Sequence, residues 1–157
     1  MGREIERKFL VKGDAWRTKD GESVRQGFLH NEVESTVRVR TKGERGYLTI
    51  KSSQTGITRA EFEYEIPLQD ADQMLDNLCQ KPLIEKIRYE IHMDGFKWEI
   101  DEFLGDNAGL VVAEIELQDE GQDFPKPDWL GPEVSEDARY LNANLVKNPY
   151  SKWDETR

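Results

Sequence analysis

Charged residues of one sign recur two apart along this chain: Glu4/Glu6, Arg38/Arg40, Glu61/Glu63, Lys86/Arg88, Glu99/Asp101 and Glu114/Glu116. In an extended strand, alternate residues stand about 6.6–6.8 Å apart on one face. Two like charges at ~7 Å, in an effective dielectric of about 20, repel by roughly 2 kcal/mol. A solvated face explains such a pair on any one strand. Repetition along the chain favours a second reading, because opposite charges would stabilise a sheet where like charges do not. Same-sign pairs suit a place where a counter-ion fills the gap: a divalent cation between carboxylates, a polyanion between guanidinium and ammonium groups. Hard cations take carboxylate oxygens and keep waters that bridge to phosphates. Arginine grips phosphate through two donors and lysine acts as a point charge. Phosphoryl transfer needs mainly positioning, metal and cationic charge, and little covalent chemistry from the protein. No nucleophile with its base stands out. His30 and His92 lack a triad context and read as structural or surface residues, and Cys79, on the apolar edge of a helical stretch, reads as core.

Period-two alternation supplies the scaffold. Strand-like runs cover 4–11, 24–30, 35–41, 46–52, 59–66, 83–93, 96–101 and 109–118. Turn signals part them at Asp20-Gly21, Lys42-Gly43, Gly56, Asp94-Gly95 and Asp106-Asn107. Two stretches change period. Residues 70–79 read as a helix with Asp70 and Gln73 as a capping box. After a proline-rich loop, Ser135 is placed to cap a second helix carrying Ala138, Leu141 and Leu145, stopped before Pro149. The faces opposite the charges carry residues such as Ile5, Phe9, Val39, Ile50, Phe62 and Trp98, which require burial. With the apolar side turned outward onto helices and loops, the charged sides face one another. About eight strands closing on themselves leave room for side chains or one small ligand. The expected fold is mostly β (α+β): an eight-stranded antiparallel closed barrel, or tunnel, with a charged lumen and a few flanking helices.

The chain has 157 residues, which fits one domain over 1–157. Its net charge is −10, which sets it against nucleic acid and anionic membrane. The single Cys79 allows no internal disulfide and suits a reducing compartment. The start, Met1-Gly2-Arg3-Glu4, has no apolar signal region, Glu6 stands where myristoylation needs Ser or Thr, and no run approaches the ~20 apolar residues of a membrane span. The expectation is a cytoplasmic protein with a small-molecule partner, no nucleic acid and no membrane; a homodimer is allowed.

The opening Glu4-Ile5-Glu6-Arg7-Lys8 resembles the E-x-E-x-K strand that begins CYTH proteins, the triphosphate tunnel metalloenzymes. Further matches follow in order: Arg25-Gln26-Gly27-Phe28-Leu29, Arg38-Val39-Arg40, Lys51, Arg59-Ala60-Glu61-Phe62-Glu63, Glu85-Lys86-Ile87-Arg88-Tyr89, Asp101 and Glu114/Glu116. The run Pro127-Asp128-Trp129-Leu130-Gly131-Pro132 and Arg139-Tyr140-Leu141-Asn142 close the set. The resemblance implies a divalent cation, Mg²⁺ or Mn²⁺, on Glu4, Glu6, Glu114 and Glu116. It implies triphosphate held by Lys8, Arg38, Arg40, Lys51, Lys86 and Arg88, with Lys8, Lys86 and Arg88 in catalytic roles as a metal-positioned water attacks an end phosphorus. Glu61, Glu63 and Asp101 would hold cations and orient the basic residues. Short bacterial members often carry Tyr where this chain has Phe28, which removes a hydroxyl from the neighbourhood of Lys86. The implied activity is hydrolysis of inorganic triphosphate to pyrophosphate and phosphate. Alternatives are another triphosphate (nucleoside or thiamine triphosphate), adenylyl cyclisation, which needs a purine pocket, or a non-catalytic polyphosphate-binding module, which needs no acidic set.

Overall fold

The computed structural model describes residues 2–53 and 57–153; the Gly56 turn signal lies outside them. The described residues form nine strands: β1 (Gly2–Val11), β2 (Glu22–Asn31), β3 (Ser35–Lys42), β4 (Arg45–Ser52), β5 (Thr58–Ile66), β6 (Ile84–Met93), β7 (Phe96–Phe103), β8 (Val111–Glu116) and β9 (Leu130–Glu133). Every pairing is antiparallel, in the order β5-β4-β3-β2-β6-β7-β8-β1, and β5 pairs back onto β1. That last pairing closes an eight-stranded ring. It is short, Gly2 to Ile5 against Glu61 to Thr58. Where β5 leaves β1, β9 takes its place beside Phe9 and Val11. The expected runs all appear; β9 was not expected, since Gly131 and Pro132 in a four-residue strand carry no alternation and Pro belongs on an edge.

The outer face of the ring is apolar, as expected. Ile5, Phe9, Trp98, Ile100 and Ile115 pack with Phe124 and Trp129 from the loop before β9. On the far side, helix α1 (Leu68–Asn77) lays Ala71 and Leu75 onto Val39. Gly46 permits that approach, since a Cβ there would stand 2.8 Å from the Ala71 methyl. The capping box does not form. Pro67 occupies the cap and makes no side-chain cap bond, and Asp70 instead falls in the first turn, where its charge favours the helix dipole.

The second helix also departs from expectation. A 3-10 turn (Ala138–Tyr140) precedes α2 (Asn142–Lys147), which starts after Leu141. Ser135 is engaged elsewhere: its hydroxyl accepts the Lys8 backbone N–H at 2.9 Å and donates to Glu133 at 2.6 Å. The helix ends before Pro149, as its sequence requires. It does not lie on the barrel's flank. Leu145 and Val146, with Tyr140 and Trp153, pack on Phe28, Ile84, Phe103 and Val112. Register puts these four on the same face as the charges: Phe28 opposes Arg38, Phe103 opposes Lys86, Ile84 precedes Lys86 by two, and Val112 precedes Glu114 by two. At this end the interior therefore turns apolar and the C-terminal segment plugs it. At the other end Glu63, Lys97, Glu90 and Glu116 are exposed.

Candidate active site

Strand order sorts the lumen by charge. Carboxylates concentrate on the contiguous arc β7-β8-β1-β5, with Glu99, Glu114, Glu116, Glu4, Glu6, Glu61 and Glu63. Cations concentrate on the opposite arc β4-β3-β2-β6, with Lys51, Arg38, Arg40, Lys42, Lys86 and Arg88. All of them line one cavity of about 260 Å³. Of the sequence-derived set, Asp101 alone is absent from that lining; its side chain is 2% exposed and lies in the wall behind Lys86 and Arg88.

Cross-strand and cross-lumen pairs offset the like-charge repulsion. Lys8 Nζ donates to Glu114 at 2.8 Å and to Glu6 at 3.3 Å. Lys51 Nζ reaches both oxygens of Glu4, at 2.9 and 3.1 Å, and stands 3.5 Å from Glu61. Arg59 Nε donates to Glu4 at 3.1 Å. Arg59 was not among the expected site residues, although it shares the period-two face of Glu61 and Glu63. Arg40 pairs with Glu63 at 3.2 Å, and Thr49 donates to the same carboxylate at 2.9 Å. Arg88 grips Asp101 through two bonds of 2.8 Å, and Lys86 shares that carboxylate at 2.7 Å.

Two predicted residues stand apart from these pairs. Among the described residues, neither Arg38 nor Glu116 has an ion-pair partner. Arg38 reaches only the Thr49 hydroxyl, at 3.5 Å, and Nε of both Arg38 and Arg40 is buried without a partner. Burial, then Arg40 and Arg88, bring the Arg38 guanidinium down to about 10. On the other arc, burial and the neighbouring Glu4 and Glu61 push the Glu116 carboxyl up; burial and Glu4 do the same to Glu61. Lys8 and Arg59 on that arc are spent on Glu114, Glu6 and Glu4, which leaves Glu116 without a cation among the described residues. Burial would raise Glu4, but Lys51 and Arg59 hold it down to about 2. Lys86 is pushed down to about 8 by burial, which outweighs an Asp101 already committed to Arg88.

Among the described residues no three His, Cys, Asp or Glu side chains converge into a ready-made metal cage. Mg²⁺ needs none: it binds through one or two carboxylates, completed by water and substrate phosphates. Glu61 and Glu116, whose carboxyls burial and then Glu4 raise, are oxygen donors that suit such an ion. The histidines and Cys79 hold no place here. His92 is exposed, and burial raises the Cys79 thiol in the α1 core. Strict period-two alternation would put His30 on the face of Val24, Gln26 and Phe28; an irregularity after Phe28 shifts the register, so His30 opposes Val37 and is exposed. Phe28 itself both lines the cavity and joins the apolar plug, which accounts for a phenyl ring among charges.

Comparison with known proteins gives the family. An inorganic triphosphatase of Acetivibrio thermocellus is 55% identical over 156 residues, 99% of this chain and 100% of that protein. One from Nitrosomonas europaea is 37% identical over 151 residues, 91% of this chain and 96% of that protein. A solved crystal structure of an inorganic triphosphatase superposes with a TM-score of 0.67 at 33% identity, covering 93% of this chain and 95% of its own. The family model for the CYTH domain matches residues 2–150, and the chain belongs to that family.

Proposed function

We propose that this chain hydrolyses inorganic triphosphate to pyrophosphate and phosphate with the help of Mg²⁺ or Mn²⁺. The observation that carries the reading is the divided lumen, an acidic arc facing a basic arc across about 260 Å³. Pockets that take drug-sized molecules run to roughly 300–1,000 Å³. A compact inorganic chain suits this space better than a nucleotide with its base and sugar. Relatives named inorganic triphosphatase at 55% and 37% identity support the same substrate, and triphosphatases of the family are metal-dependent in general.

On this reading Arg38, Arg40, Lys51, Lys86 and Arg88 hold phosphate oxygens, with Lys8 reaching from the acidic arc. Glu4, Glu6, Glu114 and Glu116 would hold the cation, Glu61 and Glu63 would flank it, and Asp101 would fix Lys86 and Arg88. A cation held there supplies neutralisation of phosphate charge and activation of water. Attack of water on an end phosphorus breaks the bond to the bridging oxygen. Lys8, Lys86 and Arg88 stabilise the charge that gathers on the departing pyrophosphate.

Phosphate release from tripolyphosphate, ATP and thiamine triphosphate, each with Mg²⁺ or Mn²⁺, tests the proposal. Tripolyphosphate should be the preferred substrate, EDTA should abolish release, and Glu116→Ala should lower kcat by about a hundredfold. Undiminished activity in EDTA, or a preference for ATP, would overturn it.

A further inference from the structure

Lys86 is the most enclosed cation of the tunnel, its side chain 1% exposed. Its surroundings are largely carbon: the Phe103 ring lies 5.3 Å from Nζ, and Phe28 and Ile84 share its face. Among the described residues, two polar atoms reach it. Asp101 Oδ2 stands 2.7 Å away, but both oxygens of that carboxylate are also gripped by Arg88. The second is Asn142 Oδ1, which accepts from Nζ at 3.3 Å. Asn142 is the first residue of α2 and lines the cavity floor between Leu141 and Ala143, whose side chains bring only carbon.

An ammonium has three donors arranged tetrahedrally. A single anchor on Asp101 would leave Nζ free to turn about that bond and would draw it toward β7 and Arg88. A second anchor from the floor removes the rotation and aims the remaining N–H into the cavity. We propose that Asn142 is a positioning residue: its side-chain oxygen, delivered by the plug, fixes the Lys86 ammonium so that its third N–H meets the substrate. This rests on the triphosphatase reading and extends it, making the C-terminal segment part of the catalytic geometry as well as a stopper. Misplacing a charged group shifts its contribution from the transition state more than from binding, so the loss falls on kcat.

Two variants separate orientation from packing. Asn142→Leu keeps the bulk and removes the acceptor; Asn142→Asp keeps both. Asn142→Leu should lower kcat on tripolyphosphate about tenfold with KM within about twofold. Asn142→Asp should stay within about threefold of wild type, because an acceptor oxygen remains. Placed in a Lys86→Ala background, Asn142→Leu should have no further effect. Wild-type kcat in Asn142→Leu, equal losses in both variants, or a full loss repeated without Lys86 would each overturn the assignment. Should wild type release no phosphate from tripolyphosphate, the triphosphatase reading fails, and lysine ¹⁵N NMR then tests the anchor by itself. The Lys86 ammonium signal, recognised by its absence in Lys86→Ala, should move or broaden in Asn142→Leu and hold in Asn142→Asp; a signal indifferent to Asn142→Leu overturns the inference.

Discussion

Gln26 has no exposed surface, and among the described residues neither its amide oxygen nor its nitrogen has a hydrogen-bond partner. It faces the interior of β2, opposite Arg40 on one side and Ile84 on the other. A buried polar group left unpaired costs about 1–3 kcal/mol. Gln26 does not line the cavity, so its unpaired amide is a cost carried inside the wall itself. Gln26→Leu, close in size, should therefore raise the thermal midpoint of the free protein, by about 2–4 °C for each kcal/mol relieved. Calorimetry checks this; a lowered midpoint would mean that the amide is satisfied in solution. The face of Gln26 was legible from its spacing with Phe28, but its isolation was not, because partners come from strands far apart in sequence. Arg59 is the opposite case: its spacing from Glu61 and Glu63 puts it on their face, but an arginine preceding two glutamates makes no same-sign pair.

Strands were legible because alternation here is a charge pattern as well as a hydrophobic one, and β1 to β8 follow it. Helices were less so. Asp70 and Gln73 have capping spacing, but Pro67 just upstream sets the helix start, and Ser135 serves Lys8 instead of a helix end. The plug was hidden for a different reason. Phe28, Ile84, Phe103 and Val112 each share a strand face with charges, and only closure of the ring shows that they gather at one end. Leu145, with no exposed surface, is the plug's central side chain. Leu145→Ala should cost about 2–5 kcal/mol, read from the urea midpoint with an unchanged slope. A loss below about 1 kcal/mol would show that α2 rests on the barrel loosely.

At the scale of the molecule, the net charge of −10 meets the acidic arc in a pH dependence whose sign can be worked out. Glu61 and Glu116, raised above 4.5 by burial and by Glu4, hold protons in the folded protein that the unfolded chain has released. Stability thus rises as pH falls toward 4.5. Below that, the unfolded chain takes protons that Glu4 refuses, since despite burial Lys51 and Arg59 keep it at about 2, and stability is lost as pH falls to there. Asp101, held well below the carboxylate range by Arg88 and Lys86 against the opposing pull of burial, acts in the same sense. The cation-free protein should be most stable just above pH 4.5. Melting curves from pH 7.5 to 3 check this, and Glu116→Gln should raise the neutral-pH midpoint and flatten the rise. A steady decline from neutral pH in both proteins would show that the arc carries no strain.

The plug has one more effect, on traffic. An interior stoppered at one end has a single door, so whatever is made inside must leave by the way the next molecule enters. On the triphosphatase reading, pyrophosphate held by Arg38, Arg40 and Lys51 would stand in that doorway until it lets go. However fast the bond is cut, such a vessel turns over no faster than it empties.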